Sequence, residues 1–475
     1  MVFLPRNIRN KRIIRWITLF LLIIALFLAI AYPYLNRKKP VKDALTGIRE
    51  RGYLVAMTDK NSLNYFVNRG NPQGFQLELL ESFAEYLDVR LKIITSNDVS
   101  KLDYYLDIHA GDLIAMNLPI TREGKREVHF SVPIGETRLV LIQRNSLPGK
   151  SSVKYIKDPK EFIGDTVYYR QNLFIEPILK EFVKKSGGKV TLIPETGKNT
   201  LELFKLVSEK KINYAICDEN LAMVVKRNYR NIDAGLIISK FYDFAWAVSR
   251  DSDSLLMSIN EWLTELKKKE LRGIYLSYYD NQSVSKYFQN DFCSFTGSKL
   301  SPFDESLKSC GKMIRWDWRL LASLVYEESN FQAGLKSSRN ASGLMQLMPE
   351  TAKKFGMDSA STPGKQIAAG AKYVGYLYDL LPEEIKDPSE RIYFTLASYN
   401  VGLGKVMRAR EKAKLHGLDP NKWNRNVDFY LTWKSHKKPD LKADTTDDLS
   451  LYGTSGGFVD RIMQRYFHYR NLIPE

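Results

Sequence analysis

Cysteine and histidine are scarce: three of one, Cys217, Cys293 and Cys310, and five of the other in 475 residues. There is no Cys-x-x-Cys pair and no clustering of histidines, which argues against a zinc site and against any metal cofactor. Also missing are an Arg-rich recognition helix, zinc-finger spacing and an aromatic RNA-binding signature, so nucleic acid is disfavoured as a partner. No cysteine lies near the N-terminal apolar run, which argues against a lipid-anchored mature N-terminus. In an exported chain Cys293 and Cys310, close together in an irregular stretch, could pair as a disulfide, leaving Cys217 as a buried apolar residue.

What the chain does contain is the composition of a folded protein, 44% hydrophobic, 12% aromatic and 26% charged. Its length calls for two or three domains rather than one core. Lys and Arg number 71 against 54 Asp and Glu, a net charge of +17, which suits an anionic partner such as anionic lipid or an acidic wall polymer. Arg6, Arg9, Lys11, Arg12 and Arg15 precede an uncharged run from Trp16 to Leu35, with Arg37, Lys38 and Lys39 beyond it. A run of about 20 residues can span a bilayer, and the basic N-side favours a cytoplasmic N-terminus with the rest exported. Ala29-Ile30-Ala31 resembles a cleavage site, so residues 1–35 read as either a signal anchor or a signal peptide.

Residues 36–280 alternate short β-like runs with amphipathic helices, an α/β pattern. Leu54 to Met57, Leu91 to Ile94, Leu113 to Met116, Leu139 to Ile142 and Tyr214 to Ile216 are expected strands. The helix from Gly74 places Leu77, Leu80, Phe83, Ala84 and Leu87 on one face. The series Ile48 to Leu54, Gly74 to Leu80, Gly111 to Ala115 and Phe130-Ser131-Val132-Pro133 resembles the extracellular solute-binding family of amino-acid receptors. That resemblance implies two lobes hinged around a ligand cleft, with lobe two between about Pro133 and Lys240, and a small ligand, an amino acid or muropeptide. After Thr121 the family usually places an Arg that clamps the ligand's carboxylate, and the matching position here is Gly124. Asp218 and Glu219, after the strand ending at Cys217, match positions where family members contact ligand, although an acidic loop pair is also simply solvated.

Residues 281–312 lose periodicity and read as a linker. Residues 313–475 read as an all-α domain: Ile367, Ala371, Val374, Tyr378 and Leu381 share one helix face, and Asp387-Pro388-Ser389-Glu390 has the form of a capping box. The run from Trp316 ends in two carboxylates, Glu327 and Glu328, followed by Ser329. At about 100° per residue, Leu320, Leu321, Leu324 and Val325 form an apolar stripe with Glu328 at its centre and Glu327 to one side. Glu328 therefore stands where a leucine should, and a carboxyl against an apolar wall resists ionising and can act as a general acid. Glu327 is expected to be solvated or at a groove edge.

Glu328-Ser329, then Gly343-Leu344-Met345-Gln346, then Tyr399-Asn400-Val401-Gly402 together resemble the lytic transglycosylase domain, from about Lys312 to His468. Behind an export segment and a solute-binding module, this order resembles the membrane-bound lytic murein transglycosylase F family. The resemblance implies a multidomain chain: a membrane segment, a two-lobed periplasmic binding protein-like α/β domain and an all-α lysozyme-like domain. It implies Glu328 as the single catalytic acid/base, and Ser329, Gln346, Tyr399 and Asn400 as residues lining a saccharide groove in contact with peptidoglycan glycan strands. Met345 is expected beneath the groove and Gly343 at a close backbone approach, where a plain turn glycine is an equal reading. The implied location is periplasmic and membrane-associated: at the inner membrane if the N-terminal segment is retained, at the outer membrane if it is cleaved.

Hydrolysis of a glycoside normally takes two carboxylates flanking the bond, and no convincing second one is present. Asp317 is about three turns upstream, too far along a helix rising about 1.5 Å per residue. The lytic route needs one, because the substrate's own C6 hydroxyl closes onto C1 to leave a 1,6-anhydromuramic end. Family members often carry an acidic residue and a Tyr-Val pair near the C-terminus, where this chain has Phe458-Val459; Tyr452 or Tyr466 would have to supply the missing hydroxyl. A hydrolytic muramidase, or a membrane-tethered receptor or wall-binding scaffold without activity, are the competing readings.

Overall fold

A computed structural model describes residues 43–475 apart from 61–62, 96–104, 107, 109, 146–153, 172–173, 197, 280–289, 295–297 and 433–456. The apolar run from Trp16 to Leu35, Tyr452 and part of the 281–312 stretch lie outside the described residues. Among the described residues no helix is long and apolar enough to cross a membrane.

The first sheet contains β1 (Tyr53–Thr58), β4 (Arg90–Thr95), β5 (Leu113–Pro119), β6 (His129–Phe130), β7 (Gly135–Thr137) and β13 (Tyr242–Val248); β2 (Phe66–Asn68) and β3 (Asn71–Gln73) form a separate hairpin. The strand order is β4-β1-β5-β13-β6, with β7 also on β13. β1 and β4 run parallel from Tyr53 opposite Arg90 to Thr58 opposite Thr95, and β13 returns antiparallel to β5. Helix α1 (Phe75–Tyr86) covers this sheet through Leu77, Leu80, Phe83 and Ala84, all nearly inaccessible. Its entry needs Gly74, with φ of 144°, because a Cβ there would sit 2.1 Å from the Asn64 carbonyl oxygen.

The second sheet contains β8 (Leu139–Arg144), β9 (Asp165–Arg170), β10 (Val190–Glu195), β11 (Tyr214–Asp218) and β12 (Ile232–Ile237), in the order β10-β9-β11-β8-β12. β13 carries the chain back to the first sheet, so lobe one is built from both ends of the module and lobe two from its middle. Helix α2 (Leu271–Tyr279) closes it, its Tyr275 and Tyr279 rings stacked at 4.5 Å and both edge-on to Phe75.

The C-terminal part is helical: α3 (Asp304–Ile314), α4 (Trp318–Ser329), α5 (Pro363–Asp379), α6 (Pro388–Val401) and α7 (Phe458–Leu472) are its principal elements. The central helix α4 packs against α3 and α7. Asp317 caps α4 by accepting from the Arg319 backbone N–H at 2.9 Å, and the buried Arg319 guanidinium spans from Asp317 to the Ile473 carbonyl. The Ser323 hydroxyl donates to the Ile462 carbonyl of α7 at 2.6 Å.

Three expectations change at this level. The stretch read as linker contains α3, whose Leu307 and Cys310 face the core. Its small and polar residues hide the helical stripe, yet Gly311 is what lets α3 approach, since a Cβ there would lie 2.9 Å from the Trp316 carbonyl oxygen. No disulfide joins Cys293 to Cys310: Cys293 bridges to Asn68 beside the β2–β3 hairpin, while Cys310 is on the core face of α3. Only half of the capping box at α6 forms, because Asp387 accepts from the Ser389 N–H at 2.8 Å but Glu390 turns to the Trp423 N–H at 2.6 Å.

The two parts meet along α7 and the β2–β3 hairpin. The Tyr65 hydroxyl bonds to His468 Nδ1 at 2.8 Å, the Tyr469 hydroxyl donates to the Gly70 carbonyl at 2.6 Å, and Asn471 Nδ2 donates to the Ile93 carbonyl at 2.9 Å. At the hairpin tip Arg69 and Gly70 both have positive φ, 47° and 82°, the backbone of a tight hairpin turn. A Cβ on Gly70 would lie 2.5 Å from the Tyr326 ring and 2.6 Å from the Phe331 ring.

Candidate active site

Helix α4 delivers the paired carboxylates on its last turn. Leu320, Leu321, Leu324 and Val325 are at most 1% exposed, and Asn330 and Phe331, with φ of 49° and 61°, turn the chain away immediately afterwards. Glu328 lies on the buried stripe. Burial first, and the charge of Glu327 second, push its carboxyl up to about 7. Among the described residues no Lys or Arg pairs with it.

Glu327 corrects the expectation of a solvated residue. Its side chain is 10% exposed, taking Arg461 Nε at 2.5 Å and Arg465 Nη1 at 3.0 Å, both from α7. The Arg465 guanidinium also lies over the Tyr326 ring, 4.4 Å from its centroid. One glutamate is thus neutralised by two arginines, and its neighbour is left to burial.

The Gly343 to Gln346 loop crosses the end of α4. Gly343 has φ of 77°, and a Cβ there would meet Gln366 Oε1 at 2.5 Å, so this glycine answers both a turn and a close approach. Gln366 accepts from the Leu344 N–H at 2.9 Å. Gln346, also left-handed with φ of 45°, folds its side chain back to donate to the Leu335 and Gly343 carbonyls at 3.0 and 2.9 Å. Met345 is 1% exposed and packs on Gly370, where a Cβ would fall 2.1 Å from its sulfur.

Two hydroxyls hold consecutive carbonyls of this loop. Ser329, 2% exposed, donates to Leu344 at 2.8 Å, and Tyr399 donates to Met345 at 2.6 Å. The Tyr399 phenol is pushed up by burial and then by the charge of Glu328, and its ring lies 5.3 Å from that of Tyr373. Asn400, the next residue on α6, is exposed. The structure therefore gathers Glu328, Ser329, Gly343, Met345, Gln346 and Tyr399 around one loop.

No second carboxylate joins this arrangement from the positions considered in the sequence. Asp317 is occupied at the other end of α4, where it also accepts from the Tyr466 hydroxyl at 3.1 Å. That bond removes Tyr466 as a substitute for the missing tyrosine, about 16 Å from Glu328 at 1.5 Å per residue. Arg461, Arg465 and Gln366 were not recognisable beforehand. The two arginines have helical spacing, which announces a face but not the carboxylate it meets.

In the N-terminal module a cavity of about 70 Å³ lies between the lobes, with Asp218 among its lining residues. Burial pushes the Asp218 carboxyl up to about 6, against the opposing effect of the Tyr242 hydroxyl bonded to it. Glu219 is engaged elsewhere, with both oxygens 2.7 Å from Arg138. No group of three or more His, Cys, Asp or Glu able to hold a metal occurs among the described residues.

A family model of the transglycosylase SLT domain matches residues 306–419, and one of bacterial extracellular solute-binding proteins, family 3, matches residues 54–281. Membrane-bound lytic murein transglycosylase F of Desulfosudis oleivorans is 29% identical over 472 residues, covering 96% of this chain and 98% of that protein. The protein of the same name from Pseudomonas fluorescens is 30% identical over 385 residues, 80% of this chain and 78% of the relative. Among solved structures, a mutant of ArgBP from T. maritima aligns at 21% identity with a TM-score of 0.44, covering 50% of this chain and 100% of the other.

Proposed function

From the premise that the chain belongs to the membrane-bound lytic murein transglycosylase F family and is a peptidoglycan lytic transglycosylase, we propose that Glu328 is its single acid and base. The observation that carries this is the contrast within the pair: Glu327 is bound by Arg461 and Arg465, whereas Glu328 is half-buried on the apolar stripe, has no Lys or Arg partner among the described residues, and has its carboxyl pushed up to about 7. As the acid, Glu328 protonates the glycosidic oxygen between N-acetylmuramic acid and N-acetylglucosamine, and the C–O bond at C1 breaks. As the carboxylate, it then takes the proton of the C6 hydroxyl, whose oxygen closes onto C1. Atoms balance without water, and the product is a 1,6-anhydromuramic end.

The supporting residues divide by what they touch. Ser329 and Tyr399 keep the loop carbonyls fixed, which holds the loop against the end of α4; Met345 and Gly343 supply its packed underside. Gln346 and the exposed Asn400 are the groups we assign to the sugar substituents. Digestion of purified sacculi by the wild type and Glu328→Gln, followed by mass spectrometry, tests the assignment. Anhydro ends, one water lighter than reducing ends, should appear with the wild type only; reducing ends would indicate a muramidase, and equal background release from both would indicate a scaffold.

We assign the apolar run from Trp16 to Leu35 to membrane attachment or export, and the enzyme to the periplasm beside a membrane, a reading that the membrane-bound relatives support. The cavity of the N-terminal module is assigned to a small ligand that tunes activity. The β2–β3 hairpin supports that assignment, since its tip lies against Tyr326 and Phe331 on either side of Glu328.

A further inference from the structure

A groove of about 1060 Å³ runs between the two modules, walled on one side by β4 and the end of α1 and on the other by α7. It exceeds the roughly 300–1,000 Å³ of a small-molecule site. Its size suits an extended chain rather than a single small molecule.

β4 enters this groove by its edge. The Arg90 N–H donates to the Gly52 carbonyl at 3.0 Å, which turns the backbone of Arg90, Lys92 and Ile94 toward β1 and that of Leu91 and Ile93 outward. β4 is the last strand of its sheet, and every residue from Asp88 to Thr95 lines the groove. A sheet face would show alternate residues only. Asn471 Nδ2 occupies the Ile93 carbonyl. Among the described residues the N–H and carbonyl of Leu91 and the N–H of Ile93 have no partner, although natural sheet edges are normally paired, covered or blunted.

The facing wall is a helical stripe of α7 formed by Asp460, Met463, Gln464, Phe467 and Asn471. Phe467 is 47% exposed on that wall, so its ring offers an open apolar face beside the Gln464 amide. Charge rules out a polyanion. The walls carry four acids against three bases, and Arg90 Nη2 is already 3.5 Å from Asp460 Oδ1. Neither nucleic acid nor an anionic lipid surface suits a groove without net positive charge.

What fits is a polar, largely uncharged polymer whose rings can lie on an aromatic face and whose amides can reach a backbone edge. Sugars that carry N-acetyl groups have both features, and the polymer that this enzyme cuts is made of them. Arg461 and Arg465, which hold Glu327, lie about a third of a turn round α7 from the stripe. The groove therefore passes within roughly one helix diameter, about 10 Å, of that clamp.

We propose that this groove holds an N-acetylated glycan strand of peptidoglycan at a second site, apart from the one where Glu328 cuts, with sugar rings on Phe467 and acetamido groups on the bare edge at Leu91 and Ile93. This rests on the reading of peptidoglycan as the substrate, and on no ligand in the cleft between the lobes. The test uses the full chain bearing Glu328→Gln, a background that should leave strands uncut, mixed with glycan strands stripped of their peptides. Amide exchange followed by mass spectrometry should slow in the segment spanning Leu91 to Ile93. Adding Phe467→Ala and Gln464→Ala should weaken strand binding by about tenfold and remove that protection, with unchanged exchange in α4 confirming the fold. The proposal is overturned if the edge is not protected, or if a folded groove variant binds strands as its parent does. It is also overturned if only peptide-bearing strands protect the edge, which would make the groove a peptide site. The protection measurement needs no groove variant, so misfolding of that variant leaves the test decisive. Strands that protect the Gly343 to Gln346 loop but not β4 would refute this proposal alone, whereas strands that protect neither would count against the peptidoglycan reading as well.

Discussion

Two carboxylates, one in each half of the chain, are pushed the same way by burial and left in different company. Asp218 rises to about 6, but the Tyr242 hydroxyl and the Arg170 charge pull it back. Glu328 rises to about 7, and its second influence, Glu327, pushes in the same direction as the first. A buried carboxyl supplied with donors is set to remain ionised and to receive a cation. One deprived of donors is set to hold and pass on a proton. On the proposed reading, the difference between the ligand-facing carboxylate and the catalytic one lies less in depth of burial than in which neighbours were provided.

The strongest way to break this comparison is Glu328→Gln, which keeps the shape and removes the proton transfer. Release of anhydro ends should fall by about 10²–10⁴. The same substitution carries a stability signature. The folded pKa of Glu328 is above its ordinary value, so its favourable contribution is complete below pH 4.5 and lost as pH rises through about 7. Glu328→Gln should therefore raise the Tm relative to wild type more at pH 8 than at pH 4.

Next in size is the clamp on Glu327. Replacing Arg461 and Arg465 together by Met leaves a nearly buried carboxylate without partners, a loss of about 3 kcal/mol in urea unfolding. Adding Glu327→Gln to that double variant should recover part of the loss, since no charge then remains to be solvated. No recovery would mean that the arginines act through packing on Tyr326 alone.

A smaller effect belongs to the hydroxyls on the loop. Ser329→Ala and Tyr399→Phe should each cost about 1 kcal/mol of stability, and the pair should be non-additive because Leu344 and Met345 are consecutive. The mildest change is in pH dependence. Cleavage starts from the protonated acid, so the initial rate should fall as pH rises through about 7. In Glu327→Gln the midpoint of that fall should move to lower pH, because a neighbouring negative charge is gone; a midpoint that stays put would leave burial as the whole cause.

Much of this was legible in the amino-acid order. The strands around Leu54, Leu91, Leu113, Leu139 and Tyr214 and the face of α1 announce themselves by period and composition. The helix α3 did not, because its contact surface is made partly by Gly311 and Cys310 rather than by large apolar residues. Ser329 and Tyr399 were expected to line the saccharide groove, but their hydroxyls are spent on backbone carbonyls, a commitment no spacing reveals.

The sequence by itself determined which glutamate stands on the apolar stripe, since the helical period is a local property that Leu321, Leu324, Val325 and Glu328 carry among themselves. It also determined that two modules follow one another, because each has its own periodicity. Only the tertiary structure decided that Glu327 is neutralised, by arginines 134 and 138 residues further along the chain. It likewise decided that a hairpin of the first module reaches the helix bearing Glu328, and that Arg170 Nε and Nη2 are buried with no hydrogen-bond partner among the described residues. An ion pair or a missing acceptor depends on which surfaces packing brings together, and that choice belongs to the whole fold rather than to any stretch of chain.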